Sequence, residues 1–320
     1  MKMKVSKIIL NSLLTCTSIL FGIFICEFAA RRIGLGTPIL YSLDNLVGYR
    51  LKPNQSIIRR KNAKITTDFE GFRINHEKIV NRDSTFIVFV GDSVTYGGSY
   101  IDDKDLFTSR YCNFMIDNNI RCLNNGINAG GVHNMGRFIS NYDFYSSRSP
   151  LKFVLVILPG DEGRNFKAFS DTPFWQNPPK QPSALNEIFK FFNSKYIVPS
   201  LERKNNKTKN ELDSIKNTKD WIQKKVIWDE LEFSLTKSKY PIDIIITPPR
   251  RWFENKNLEK EIKIYDQFLE NISMLKEVKK TCNLYKYLKN DYKKSFYTDG
   301  VHLSKEGHEV WSKKIYKCIN

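Results

Sequence analysis

Four short apolar runs constrain this chain more than any other feature. Residues Thr85 to Val90 read Thr-Phe-Ile-Val-Phe-Val into Gly91, and comparable runs recur at Ile120 to Leu123, Phe153 to Leu158 and Ile242 to Thr247. The first run is apolar from Phe86 to Val90 without polar interruption, as a central parallel strand buried on both faces should be. The intervals between them are long enough for crossover helices, which together predict a doubly wound α/β sheet with helices on both faces. With 320 residues, 41% of them hydrophobic and 13% aromatic, the chain can fill one such domain plus an appendage, and global disorder is excluded.

The appendage is at the N-terminus. Lys2, Lys4 and Lys7 precede an uncharged run of 19 residues from Ile8 to Cys26, followed by Glu27, Arg31 and Arg32. One helix of that length crosses a bilayer core. A cleaved signal peptide is the competing reading, but the run is long for such a segment and Phe28-Ala29-Ala30 is a poor cleavage site. Residues 1–32 are therefore expected to be an uncleaved signal anchor, with residues 8–26 in the lipid. Neither Cys16 nor Cys26 follows the small residues of a lipidation site, so both read as helix residues. Arg31, Arg32, Arg50 and Lys52 blunt the orientation signal of the three lysines. With no second span, a single-pass protein with its main domain on the extracytoplasmic side is expected.

The formal charge of +17 is spread along the chain without a basic arm or a zinc-finger, RRM or KH signature, so nucleic acid is not an expected partner. A basic exterior also suits anionic lipid or acidic glycan. Cys112, Cys122, Cys282 and Cys318 lie beyond the anchor with no zinc-ligand spacing, so neither metal nor cofactor is expected. An exported domain can oxidise some of them, but their connectivity cannot be read from spacing, and free buried thiols are the expectation. Residues 33–82, with Pro38 and Pro53, read as a connecting segment lying against a main domain at 83–320. Within that domain, about 166–240 reads as a helical insertion that either covers one rim of the site or is simply a solvated charged face.

Two motifs carry chemistry. Gly91-Asp92-Ser93 stands where a buried strand ends, followed by Val94-Thr95-Tyr96-Gly97-Gly98; a serine entering a helix there can offer its own N–H to an oxyanion. Near the C-terminus, Asp299 precedes His302 by three residues in a turn leading to a helix, so both side chains can project from one loop. A nucleophilic serine needs such a base, and the base needs an acid to orient it. The competing reading is that Asp299 only caps a helix. The other histidines are His76, His133 and His308.

Gly91-Asp92-Ser93 early and Asp299-x-x-His302 late, in an α/β chain, resemble the SGNH/GDSL hydrolases over about Thr85 to the C-terminus. The resemblance implies a flavodoxin-like parallel sheet, Ser93 as nucleophile, Asp299 as acid and His302 as base. The family's second block resembles Cys122 to Gly131, with Gly130 as oxyanion donor beside the Ser93 N–H, or Ala129 or Gly131 by a one-residue shift. In the third block the family has Gly-x-Asn-Asp, whereas this chain reads Leu158-Pro159-Gly160-Asp161-Glu162-Gly163-Arg164-Asn165. An ionised Asp161 repels an oxyanion. Either Asn165 reaches in, burial protonates Asp161, or the position has another role. The implied activity is a serine esterase acting on acyl esters, O-acetyl groups of a surface polysaccharide above all. The alternatives are an O-acyltransferase or a weakened, membrane-tethered glycan-binding protein. Tyr96 and Trp175, with Phe174 and Trp252, could stack on sugar rings of an acylated carbohydrate.

Overall fold

The computed structural model describes residues 2–75, 84–115, 119–164, 181–193 and 226–320. The chain begins with α1 (Lys2–Arg32), in which Ile9–Arg32 is long and apolar enough to cross a membrane. Two antiparallel pairs follow: β1 (Tyr41–Asp44) with β2 (Gly48–Leu51), and β3 (Ser56–Ile58) with β4 (Lys64–Thr66). The main domain continues with β5 (Arg73–Ile74), β6 (Thr85–Gly91), α2 (Ser93–Tyr96), α3 (Phe107–Cys112), β7 (Ile120–Gly126), α4 (Val132–Ser140), α5 (Tyr142–Tyr145) and β8 (Pro150–Ile157). After these come α6 (Ala184–Phe192), α7 (226–235 in its described part), β9 (Ile242–Ile246), α8 (Arg251–Glu254), α9 (Glu259–Ile272), β10 (Val278–Asn283), α10 (Tyr285–Leu288) and α11 (Lys305–Ile319).

The six-stranded sheet has the order β10-β9-β8-β6-β7-β5, parallel except for β5. Its five parallel strands, numbered by their order along the chain, therefore lie 2-1-3-4-5, the flavodoxin-like arrangement. Side chains of β6 alternate between two cores. Phe86, Val88 and Val90 join Phe138, Leu231 and Phe268 on one face, whereas Ile87 and Phe89 join Phe107, Trp311 and Ile315 on the other. That double burial is why β6 reads as a continuous apolar run. The strand order reverses beside β6, so its C-terminal end opens on the crevice where such sheets bind ligands.

At three places the structure differs from the sequence reading or adds to it. Residues 33–75 form more than a connector: β5 pairs with β7 in the main sheet, and Ile39, Tyr41, Tyr49, Leu51 and Ile65 make a core with Tyr96 and Ile127. The cysteines are paired, not free. Cys112–Cys122 ties α3 to β7 across 5.9 Å between Cα atoms, and Cys282–Cys318 ties β10 to α11 across 6.1 Å. Finally, β10 was missed because it is an edge strand whose Lys279 and Lys280 face solvent, leaving no apolar run. Of the expected insertion at 166–240, the described parts are α6, α7 and the turn before β9; the remainder lies outside the described residues.

Candidate active site

The turn after β6 is built by close approach. A Cβ on Gly126 would stand 2.0 Å from the Tyr96 nitrogen, and one on Gly91 would stand 2.1 Å from Thr95 Oγ1, so only glycine lets two strand ends receive α2 so tightly. Asp92, buried and extended, caps α2 by accepting from the Val94 N–H at 2.8 Å. Asn124 pins the same turn, donating to the Thr95 carbonyl at 2.6 Å while accepting from the Gly126 N–H at 2.8 Å. From the N-terminal segment, the fully buried Arg73 donates to the carbonyls of Tyr96, Gly98 and Ile101 and pairs with Asp103 at 2.7 Å. Ser93 is thus held at the strand end by residues from four elements.

The C-terminal turn meets it there. Asp299 Oδ1 accepts from the N–H groups of Val301 and His302, each at 2.8 Å, so Asp299 orders its own loop before it acts on the imidazole. Its Oδ2 lies 2.7 Å from His302 Nδ1, and His302 Nε2 lies 2.9 Å from Ser93 Oγ. Partial burial pushes the Asp299 carboxyl up, but the two N–H groups and the imidazole outweigh it and hold the pKa below the ordinary value. Tyr100 bridges the two halves of the site, donating to the Leu303 carbonyl at 3.0 Å. Neither of the other described histidines competes for the base's place. His133 is bound to Glu230 at 2.9 Å; His308 is buried against Phe107, where burial first and then Arg73 drive its pKa down to about 3. His76 lies outside the described residues.

On the oxyanion side the geometry differs from the expectation. The Gly130 N–H is already donated to the Ile127 carbonyl at 3.1 Å, and the Gly131 N–H to Asn134 at 2.9 Å. Asn128 gives its N–H to the Tyr41 hydroxyl at 3.2 Å. Ala129, with a left-handed φ of 59°, is the residue of that loop whose N–H meets no acceptor among the described residues. In this loop the Ala129 N–H, unlike that of Gly130, is thus left without an acceptor among the described residues.

Asp161 is held by contacts of its own. It is fully buried, its Oδ2 accepts from the Leu158 N–H at 2.9 Å, and its Oδ1 stands 3.0 Å from Arg164 Nη1. The same Nη1 donates to Asp92 Oδ2 at 3.0 Å and to the Gly130 carbonyl at 2.9 Å. With both hydrogens of Nη1 so directed, Asp161 Oδ1 receives the charge without an aligned hydrogen bond, and it has no hydrogen-bond partner among the described residues. Burial first, then the negative charge of Asp92, raise the Asp161 pKa well above its ordinary value. Arg164 is the residue that sequence reasoning passed over: its guanidinium joins the nucleophile turn, the Gly130 loop and the third block at one nitrogen. An arginine three residues after the unexpected aspartate was the available signal.

Tyr96 is no sugar platform, because it is fully buried beneath the N-terminal segment with its hydroxyl 3.0 Å from Ser99 Oγ. Trp252 is likewise core. Phe174, Trp175 and Asn165 lie outside the described residues. Beside the third block, a cavity of about 820 Å³ is lined by Gly160, Glu162, Trp228, Arg251, Tyr265 and Phe268 among others; Ser93, Asp299 and His302 are not in its wall.

No protein-family model matches this sequence, and no curated protein matches it. Among solved structures, a member of the lipolytic G-D-S-L family from Veillonella parvula is similar over 73% of this chain and 97% of its own, at 12% identity and a TM-score of 0.43. An acetylxylan esterase from Geobacillus stearothermophilus is similar over 75% of this chain and 97% of its own, at 13% identity and a TM-score of 0.43. An α/β hydrolase enzyme from the metagenome of Lake Arreo, Spain, covers 76% of this chain and all of its own, at 11% identity and a TM-score of 0.41. At these identities and TM-scores, the functional assignment rests on the chain's own geometry.

Proposed function

We propose that this protein is a membrane-anchored serine esterase of the SGNH/GDSL type that removes acyl groups, O-acetyl groups in particular, from a surface carbohydrate. The observation that carries the reading is the continuous relay from Ser93 Oγ through His302 to Asp299, at 2.9 Å and 2.7 Å, between groups 209 residues apart in the chain. In the first step His302 Nε2 takes the Ser93 proton as Oγ attacks the ester carbonyl, and Asp299 holds the imidazole and balances its charge. The N–H groups of Ser93 and Ala129 receive the oxyanion. Collapse expels the alcohol, which takes its proton from His302, and leaves an acyl-Ser93; water, activated by the same base, then releases the carboxylic acid. A sugar hydroxyl in place of water makes the same site an acyltransferase.

The alternative of a weakened binding protein rests on Asp161 standing where the family has an asparagine donor. That carboxylate is buried against Arg164, which speaks against its opposing the oxyanion, and the N–H groups named above take the donor's place in the reading proposed here. Two disulfides outside the anchor helix support an oxidising, extracytoplasmic location. Ser93→Ala in the full chain, assayed on 4-nitrophenyl acetate in detergent, tests the reading. Loss of at least a thousandfold in kcat with unchanged unfolding supports it, and turnover near wild type overturns it.

A further inference from the structure

The membrane helix does not end in a loose tether. Glu27, near its C-terminal end, accepts from the N–H groups of Ala184 at 2.8 Å and Leu185 at 2.9 Å, so α1 supplies the acceptors for the first turn of α6. Ala30, Leu35 and Ala184 pack together beside this contact. One turn further along α6, Glu187 takes the Gly36 N–H at 2.6 Å and both arms of Arg59, at 3.1 and 2.5 Å, while Arg59 also donates to the Gly34 carbonyl at 2.7 Å. Both Arg59 and Glu187 are buried. A side chain on Gly36 would meet Ala184 within 3.0 Å, and its φ of 80° favours glycine. The end of α1, the strand β3 and α6 are therefore locked together by two independent sets of polar contacts.

Several large apolar side chains around this joint are exposed. On α6, Phe189 is 67% exposed and Ile188 38%, and beside the joint Ile33 is 64% and Ile58 62% exposed. Phe28, with Arg32 stacked over it, adds to them on the last turns of α1. Their height relative to a bilayer follows from helix geometry: eighteen steps from Ile9 to Glu27 at 1.5 Å span about 27 Å, close to the ~30 Å hydrocarbon core. Glu27, and with it the start of α6, then stands at the lipid–water boundary. Exposed aromatic and branched side chains, with Arg31 and Arg32 on the same turns, match what an interfacial helix presents to acyl chains and headgroups.

Resting on the anchor reading above, we propose that α6 lies in the headgroup boundary beside α1, as the second half of a rigid foot that holds the domain on the phospholipid surface. Tyr41 and Tyr49, on the segment leaving this foot, bond the amide and carbonyl of Asn128 in the Ala129 loop, so the foot keeps the catalytic rim at a fixed height above the lipid. Esters presented at the membrane surface are then the accessible substrates.

The test uses the full chain in phosphatidylcholine/phosphatidylglycerol vesicles, with Phe189→Trp and, as a control away from the foot, Leu151→Trp. Emission added over wild type by Phe189→Trp should be quenched at least twofold by shallow-brominated lipid and little by acrylamide, with the opposite for Leu151→Trp. Retention after alkaline wash combined with acrylamide-accessible, lipid-insensitive emission at position 189 overturns the foot while leaving the anchor intact. Release of the full-length chain by the wash overturns the anchor, and the foot falls with it. Ester turnover in detergent near wild type certifies that each variant is folded.

Discussion

Replacing Arg164 with methionine probes the part of the site that departs most from its family resemblance. Methionine keeps much of the stem's bulk and removes a charge on which two fully buried carboxylates, Asp92 and Asp161, both depend. Breaking a buried ion pair typically costs about 3–5 kcal/mol. Arg164 keeps a 27% exposed side chain, and Asp161 already has a raised pKa, so protonation offers it a partial escape. The lower end, about 3 kcal/mol, is the expected loss, on the order of a hundredfold in the folding equilibrium. Because a carboxyl with a raised folded-state pKa stabilises the fold below its unfolded value of ~3.9 and loses that contribution as pH rises, the Arg164→Met penalty should grow from acid to neutral pH. Adding Asp161→Asn should return about 1–3 kcal/mol, the coupling expected of neighbours in one charge cluster. Urea unfolding of the four proteins in detergent, followed by tryptophan emission at pH 5 and pH 8, measures all of these. Arg164→Met with wild-type stability at both pH values, or additive losses in the double variant, would refute the reasoning.

His308 should set part of the acid limb of stability. Its folded-state pKa of about 3 lies below the unfolded value of ~6.5, so the unfolded chain binds the extra proton and stability falls as pH drops through that window, by up to ~1.4 kcal/mol per unit; His308→Asn should flatten the limb in a stability-versus-pH series. For the disulfides, separations of 36 and 10 residues predict chain-entropy losses of about 4 kcal/mol for Cys318→Ser and about 3 kcal/mol for Cys122→Ser. Melting curves that show no loss for either variant, or none for the parent on addition of dithiothreitol, would contradict the pairing.

The parallel sheet was legible because double burial forces continuous apolar runs, and β6, β8 and β9 fall on them. Elements that escaped are those whose environment leaves no period: the edge strand β10 with its exposed lysines, and β5, which is two residues long. The relay was legible for a chemical reason, since few residue types serve as nucleophile, base and orienter, and their strand-end and loop positions follow from the fold. Ala129 was harder. A left-handed φ is normally signalled by glycine, whereas here it falls on an alanine just before two glycines. Arg164 was hard to place because its two acceptors, on Asp92 and Gly130, and its ion-pair partner Asp161 come within reach of one nitrogen only in the folded sheet.

The central claim is that Ser93 is a nucleophile activated by His302, and covalent labelling reads it most directly. The full chain is treated in detergent with a fluorophosphonate, and the modified residue is located by peptide mass spectrometry in wild type and in His302→Ala. The account predicts one stoichiometric adduct on Ser93, formed at least about a hundredfold more slowly without the imidazole. An adduct on another serine, or labelling of Ser93 at the same rate in His302→Ala, would contradict it.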